Sequence, residues 1–325
     1  MNAVHLMEYG PAENLKLVDI PVPEPADNEV LIKVKAASVI FADILMRKGD
    51  YPALPASLPF VPGREVAGIV ERVGAGVTSI KPGMRVLGQM HTGGYAEYAK
   101  TTADQVSVLS DHVSYLQGLV YFVNLRVAWM VYHAFGKVQP QDTILVHAAS
   151  GGVGSLITQI AKRRYNNVVI ALAETDAKME FCRLNGADHV INHAQTDYVQ
   201  EVLRLTGGQG VDVSLNSIGG PTLQTDPDAI KPLGRWVIYG YAAGKGLIDP
   251  YKHLIKSITI APFSIYAFIF RDEWRQAQDF LDNWMHTEKG LLSVQKTFRL
   301  EEIVQAHHWL EDQQSIGKIA VVMED

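Results

Sequence analysis

The fold is decided by Thr143-Ile-Leu-Val-His-Ala-Ala-Ser-Gly-Gly-Val-Gly154, which leads from an apolar, strand-like run into a helical pattern over Ser155–Tyr165. Its glycines suit separate tasks: Gly151 permits a tight turn, Gly152 brings bare backbone close to an anion, and Gly154 lets the helix pack on the strand. The helix N-terminus adds N–H donors and the positive end of its dipole. We therefore predict that this turn binds the pyrophosphate of a dinucleotide.

Further apolar runs rich in β-branched residues follow the turn. They cover Val168–Ala173, Val211–Leu215 and Arg235–Tyr239, and helical patterns separate them. Strands without polar alternation indicate a parallel sheet that is covered on both faces. The sequence therefore predicts an α/β fold in which residues 115–250 form a Rossmann-type, doubly wound dinucleotide-binding domain.

The two ends of the chain have a different pattern. Residues 1–114 alternate short strand candidates with turns dense in Gly and Pro, and residues 251–325 mix helices with strands up to a last strand at Lys318–Met323. A length of 325 residues also exceeds what one hydrophobic core usually supports. We predict a β-rich domain built from both ends, 1–114 and 251–325, with the dinucleotide domain inserted between them.

The composition excludes several classes of protein. With a net charge of −6, the chain lacks the basic surface of a nucleic-acid-binding protein. Its single cysteine, Cys182, excludes an internal disulfide and a cysteine-built zinc site. The longest apolar stretch, Ile258–Phe270, is too short and interrupted to span a bilayer, and no signal peptide is evident at Met1. We expect a soluble, cytoplasmic protein with neither nucleic acid nor a membrane as a partner.

The residues after the second strand concern the ribose end of the dinucleotide. The apolar run that ends at Ala173 is followed by Glu174 and, four residues later, by Lys178. An acidic residue there is typical of a site for a free 2′-hydroxyl, and so of NADH, whereas a positive charge suits the 2′-phosphate of NADPH. Lys178 is equally consistent with a solvated helix lysine, so the residues alone leave the choice of cofactor open.

Six motifs are spread from Leu58 to the last strand. They are Leu58-Pro-Phe-Val-Pro-Gly63, Glu65-Val-Ala-Gly-Ile-Val-Glu-Arg-Val-Gly74, Gly93-Gly-Tyr-Ala-Glu-Tyr98, Leu145–Gly154, Asn185-Gly-Ala-Asp-His-Val-Ile191 and Ile316-Gly-Lys-Ile319. Together they resemble the zinc-independent quinone oxidoreductases of the medium-chain dehydrogenase/reductase superfamily, including the enoyl reductase domains of polyketide synthases. The resemblance implies a GroES-like β-rich domain beside the Rossmann domain.

The resemblance also implies NADPH as the cofactor and indicates which residues contact it. Lys178 matches the position of a residue that usually binds the 2′-phosphate in relatives. Asn216 matches a position that contacts the nicotinamide in relatives, and Lys318 matches a lysine that lies near their cofactor. His193 is assigned to a cofactor phosphate, with a structural histidine as the alternative. The complete predicted set is Ser150, Gly151, Gly152, Val153, Gly154, Thr175, Lys178, His193, Asn216, Gly240, Tyr241 and Lys318.

Zinc-dependent relatives differ at two places in the first part of the chain. They carry a Cys shortly before an Asp in the segment that corresponds to Ser38–Asp43, and Gly-His-Glu where this sequence has Gly63-Arg64-Glu65. Neither ligand is present in this sequence, and the four-cysteine lobe of those relatives is missing too. We therefore predict no metal site.

Without a metal, reduction of an activated alkene needs another source of stabilisation. Hydride addition to an α,β-unsaturated carbonyl puts negative charge on its oxygen, so a hydrogen-bond or proton donor must be near. By resemblance, Tyr51 matches the tyrosine proposed as proton donor in enoyl reductases, and a phenol with a pKa near ~10 stays protonated at neutral pH. The alternatives are a loop tyrosine packed beside a proline and a proton that comes from solvent.

Two positions depart from the pattern of the relatives. This sequence has Ile40 and Val127 where the relatives usually carry an Asn and a Thr in their nicotinamide pocket. Our leading hypothesis is an NADPH-dependent oxidoreductase that acts on an enoyl thioester, an enone or a quinone. The departures keep two alternatives open. One is a reaction in which the enolate expels a leaving group, as in reductive ring closure, and the other is a non-catalytic NADPH-binding scaffold.

The same resemblance gives our expectations about partners. We expect the substrate to be a small molecule or an acyl thioester, and the thioester to be either free or bound to a carrier protein in polyketide biosynthesis. We also expect the protein to form a homodimer.

Overall fold

A computed structural model describes residues 1–51, 53, 57–267, 272–287 and 294–323. Contacts between Cα atoms divide the chain into two compact units, which are Met1–Val123 with Leu292–Asp325 (unit 1) and Asn124–Leu291 (unit 2). No helix within the described ranges is long and apolar enough to cross a membrane. Residues 268–270 of the apolar stretch noted above lie outside those ranges.

Strands and helices are numbered in chain order. The strands are β1 Asn2–Leu6, β2 Leu15–Asp19, β3 Glu29–Val39, β4 Glu65–Val73, β5 Arg85–Gln89, β6 Tyr98–Thr102, β7 Val106–Val108, β8 Thr143–Val146, β9 Val168–Ala173, β10 His189–Asn192, β11 Val211–Asn216, β12 Ile230–Ile238, β13 Thr259–Pro262, β14 Val294–Arg299 and β15 Lys318–Val322. The α-helices are α1 Phe41–Lys48, α2 Tyr115–Trp129, α3 Gly152–Ile160, α4 Asp176–Leu184, α5 Tyr198–Leu205, α6 Thr222–Ala229, α7 Pro250–Lys256, α8 Asp272–Thr287 and α9 Ile303–Glu311. Single π-helical turns follow α2 at Met130–Phe135 and α3 at Ala161–Tyr165.

Unit 1 is built around the long strand β3. Its main sheet has the order β14-β15-β3-β4-β5-β7, and β6 also pairs with β3. The pairings are antiparallel except for β14 with β15. Apolar side chains from both ends of the chain, among them Val30, Val66 and Ile319, share one buried core. The β-rich domain of the predicted fold class is confirmed.

Unit 2 contains a parallel sheet with the order β10-β9-β8-β11-β12-β13 in the described part of the chain. This is the order of a dinucleotide-binding sheet, and the strand order reverses between β8 and β11. Ligands of such sheets bind outside the carboxyl ends of the strands at that reversal, because the following loops diverge there and leave a crevice. The predicted doubly wound sheet is confirmed.

Both domain boundaries differ from the predicted ones, since the first unit extends to Val123 instead of residue 114 and the second boundary lies further along the chain. The prediction assigned residues 251–325 to the β-rich domain, whereas the structure groups residues up to Leu291 with unit 2. The physical reason is strand pairing: β13 lies parallel to β12, with Trp236 opposite Ile260 and Val237 opposite Ala261. The residues after Pro250 mix helical and strand-like patterns, so the sequence did not reveal that they include the last strand of the dinucleotide-binding sheet.

Candidate functional site

The glycine-rich turn joins β8 to α3 at the point where the strand order reverses. Helix α3 begins at Gly152, three residues earlier than predicted, and Gly151 is its N-cap. The left-handed residue of the turn is Ala148, with a φ of 46°, whereas Gly151 has a φ of −79° that any residue adopts. The tight turn therefore does not depend on Gly151 in the predicted way.

Gly154 has the close contact that the sequence predicts. A Cβ on this residue would lie 2.4 Å from the carbonyl oxygen of Ala148 and 2.9 Å from the Cα of Ala149. Only glycine allows the helix to pack this closely on the turn. The first N–H groups of α3 have no acceptor within the helix, so the backbone of Gly152, Val153 and Gly154 suits a pyrophosphate.

A buried carboxylate lies beneath the turn and was not predicted. Asp226 of α6 is fully buried, and donors from four elements converge on its two oxygens. The donors are His147 Nε2, Tyr198 Oη, Ser214 Oγ and Asn216 Nδ2, each at 2.8 Å, and Trp236 Nε1 at 2.9 Å. Burial opposes ionisation, but the charge and hydrogen bond of His147 and the bonds of Asn216 and Ser214 outweigh it and lower the pKa of Asp226.

The side chain of Asn216, a predicted cofactor contact, is hydrogen-bonded within the protein. Its side chain is fully buried, and its amide nitrogen donates to Asp226 Oδ2 at 2.8 Å and to Thr222 Oγ1 at 2.9 Å. Its oxygen accepts the backbone N–H groups of Ile218 at 2.8 Å and Gly219 at 3.0 Å. An amide makes no more than about four such bonds, so the side chain is fully used in shaping the loop after β11. The cofactor contact predicted for Asn216 stays a prediction.

Gly240 and Tyr241 lie on the loop after β12, which packs against the loop after β11. A Cβ on Gly240 would lie 2.5 Å from the carbonyl oxygen of Ser217, and a Cβ on Gly219 would lie 2.8 Å from the Cα of Tyr241. The backbone of Ala243 also donates to the carbonyl of Ile218 at 2.7 Å. The structure thus brings these two loops together at the carboxyl edge of the sheet.

The residues predicted for the ribose end of the site lie at the ends of β9 and β10. Ala173 lies opposite Asn192 in the parallel register, so Glu174 and His193 follow neighbouring strand ends. Thr175 caps α4 through a hydrogen bond from the backbone N–H of Lys178 at 3.3 Å. Lys178 is buried, contrary to a solvated helix lysine, and its ammonium pairs with the Glu174 carboxylate.

The remaining predicted residues lie in unit 1. The guanidinium of Arg64 lies 4.8 Å from the centre of the Tyr51 ring. Lys318 is buried, and its Nζ lies 2.6 Å from Glu65 Oε2, which also accepts from Ser38 Oγ at 2.8 Å. The Lys318 ammonium is thus engaged by a carboxylate of its own unit.

Asp43 lies in the same interior. Its carboxylate accepts from Tyr95 Oη at 2.8 Å and from the backbone N–H of Ile40 at 3.0 Å, and burial raises its pKa to about 6. Within the described ranges, no three His, Cys, Asp or Glu side chains form a group that could hold a metal ion. The prediction of a metal-free protein stays a prediction.

Comparisons with known proteins cover nearly the whole chain. Residues 26–111 match the alcohol dehydrogenase GroES-like domain, and residues 152–283 match the family described as zinc-binding dehydrogenase. A quinone oxidoreductase of Sus scrofa is 34% identical over 311 residues, which are 94% of this chain and 93% of that protein. The chain belongs to the quinone oxidoreductase family of medium-chain dehydrogenases/reductases.

Solved structures of this oxidoreductase family are similar over their full length. The Escherichia coli quinone oxidoreductase, solved in complex with NADPH, superposes with a TM-score of 0.93 and 29% identity, and it covers 99% of this chain and 100% of its own. The CurK enoyl reductase has a TM-score of 0.88 and 26% identity, with 99% of each chain covered. The resemblance stated from the motifs and the GroES-like character of the β-rich unit are confirmed.

Two glycine substitutions test the packing of the turn. We expect Gly154→Ala to lower the free energy of unfolding by about 1–3 kcal/mol, because its Cβ would overlap the Ala148 carbonyl. Gly151→Ala is the matched control, since its Cβ would lie 3.2 Å from the same oxygen and its φ is ordinary, so its loss stays below about 1 kcal/mol. Urea unfolding of the full chain measures both, and equal losses would contradict this account.

Removing the Asp226 charge tests the buried network. Its pKa is lowered from 3.8 in the folded protein, so the stabilisation is complete above pH 4 and is lost as the pH falls through the lowered value. We expect Asp226→Asn to cost about 3 kcal/mol at pH 7 and markedly less at pH 3. Urea unfolding at the two pH values checks this, with Asp228→Asn, an exposed ion-pair partner of Lys252, as the control. An equal cost at both pH values would show that the charge of Asp226 is not what stabilises the fold.

Proposed function

We propose that the protein is an NADPH-dependent oxidoreductase that reduces the C=C bond of an α,β-unsaturated carbonyl compound without a metal ion. The substrate class comprises enoyl thioesters, enones and quinones. The observation that carries the proposal is the glycine turn at the reversal of strand order, which ends in the bare N-terminus of α3. A family member of similar structure binds NADPH, and another is an enoyl reductase.

The residues present fit such a cofactor. The close approach at Gly154 leaves the backbone of α3 accessible for a pyrophosphate, together with the buried Ser150 of the same turn. Thr175, Lys178 and His193 suit a 2′-phosphate at the ends of β9 and β10. The backbone of Gly240 and its neighbours, rather than the Asn216 side chain, suits the nicotinamide end. NADPH supplies the hydride when it is bound.

We assign the proton-donating role to Tyr51. Hydride addition leaves an enolate, and a neutral phenol can donate a hydrogen bond to its oxygen or a proton to its α-carbon. The Arg64 guanidinium, 4.8 Å from the centre of the Tyr51 ring, stabilises the negative charge that remains after a proton has left. Arg64 is thereby a positioning and charge-stabilising residue for Tyr51.

Several finer predictions accompany this function. A carrier-protein-bound thioester, a place in polyketide biosynthesis, a homodimer and a cytoplasmic location all stay predictions. The half-buried side chains of Ile40 and Val127 replace polar groups of relatives, which is why expulsion of a leaving group from the enolate belongs among the reactions to be tested. Product analysis with an enoyl substrate that carries a halide would reveal that reaction as halide release.

The decisive experiment follows NADPH oxidation against parallel substrates. We expect consumption with at least one of an enoyl thioester, an enone and a quinone, and Tyr51→Phe should lower kcat about 10²-fold while leaving the Kd of NADPH unchanged. Tyr98→Phe, a change of the same type on β6, should behave as the wild type.

Two results would overturn parts of this proposal. If NADPH binds but no member of the panel is reduced, the non-catalytic scaffold becomes the better account. If Tyr51→Phe retains full kcat on a reduced substrate, the proton comes from solvent and Tyr51 has no catalytic part.

A further inference from the structure

One carboxylate lies among the residues that suit a 2′-phosphate. Glu174 pairs through Oε1 with the Lys178 ammonium, and its Oε2 lies 3.7 Å from His193 Nε2. Both side chains that the phosphate would use thus face the same acidic group. The site is therefore already partly neutralised before a dinucleotide arrives.

The pair is more than a solvated contact on a helix surface. The Lys178 side chain is 8% exposed and that of Glu174 is 23% exposed, so neither charge is fully screened by water. Burial would raise the pKa of Glu174, but the hydrogen bonds and charges of His193 and Lys178 lower it to about 2. The carboxylate is consequently ionised throughout the physiological range of pH.

Its place in the sheet is also the one that recognises a ribose. Glu174 directly follows β9, the second strand of the dinucleotide-binding order, and lies beside the end of β10. A carboxylate at this place accepts hydrogen bonds from the ribose 2′-hydroxyl of a dinucleotide without a 2′-phosphate. The Glu174 carboxylate can therefore accept a hydrogen bond from a free 2′-hydroxyl, and its negative charge repels a 2′-phosphate.

We propose that Glu174 is a specificity-determining residue that holds Lys178 in an ion pair and offers its carboxylate to a free ribose hydroxyl, so that NADH is a second cofactor of this site. The inference rests on the proposed function, since it presumes that the site binds a nicotinamide dinucleotide. A 2′-phosphate has to share the Lys178 ammonium with Glu174 or displace it. In either case the ionised carboxylate stays beside a group that carries about 1.5 to 2 negative charges.

Removing the charge of Glu174 should change the affinities for NADPH and NADH in opposite directions. Neutralising Glu174 releases Lys178 and removes the repulsion, which strengthens binding of a 2′-phosphate. The same change replaces an ionised acceptor for the 2′-hydroxyl with a neutral amide, which weakens binding of NADH. The ratio of the two affinities, rather than either affinity alone, reports the role of Glu174.

Direct binding to the full chain tests the proposal without any turnover. Calorimetric titrations would compare NADPH with NADH, and 2′,5′-ADP with 5′-ADP, since these nucleotide halves isolate the 2′-phosphate. We expect the wild type to bind NADH and NADPH with Kd values within about tenfold of each other. Glu174→Gln should shift the ratio toward NADPH and 2′,5′-ADP by about tenfold, and Lys178→Met in the Glu174→Gln background should reverse that gain.

Glu180→Gln is the matched control on the same helix. Glu180 is exposed and pairs with Arg183 three residues later, so its removal should leave the affinity ratio unchanged. The inference is overturned if the wild type prefers NADPH by more than about a hundredfold, or if Glu174→Gln leaves the ratio where it was. In both cases the protein still binds a dinucleotide and the proposed function stands, whereas a wild type that binds none of the four ligands would remove the proposed function itself.

Discussion

The carboxylate of Asp226 is fully buried, and its two oxygens accept hydrogen bonds from five donors on α5, β11, β12 and His147, the residue after β8. An ionised group in the interior is tolerated only when donors replace the water it has lost. Each donor is therefore held in place by the same acceptor. Because His147 precedes the turn and Asn216 shapes the neighbouring loop, this network places both loops at the reversal of strand order.

Unit 1 satisfies its buried charges in another way. The Lys318–Glu65 pair joins residues 253 positions apart, and it links the first residue of β15 to the first residue of β4 across the carboxyl end of β3. A buried pair of this kind is costly to break, since removal of one partner leaves the other charge without compensation. The pair thereby ties the last strand of the chain to the β-rich unit at its beginning.

Local signals predicted the glycine turn and the parallel sheet, because strand-turn-helix chemistry and apolar runs are properties of short segments. They did not predict the end of the sheet, since β13 is defined by its pairing with β12 and its own composition is mixed. Asp226 was missed because an acidic residue beside Pro227 in a short helix has no motif. Its partner His147 lies 79 positions away in the sequence, so their contact becomes visible only once the strands are aligned.

The sequence by itself determined the fold class, the turn and the family, since glycine spacing and strand periodicity depend on neighbouring residues. Only the tertiary structure decided which polar groups remain available at the site. Asn216, Lys318 and Lys178 were all predicted to contact the cofactor, yet each is engaged by a partner of the protein itself. A polar side chain has only a few donor and acceptor atoms, and a partner within the protein occupies them if it lies close enough. Those distances are set by the tertiary structure.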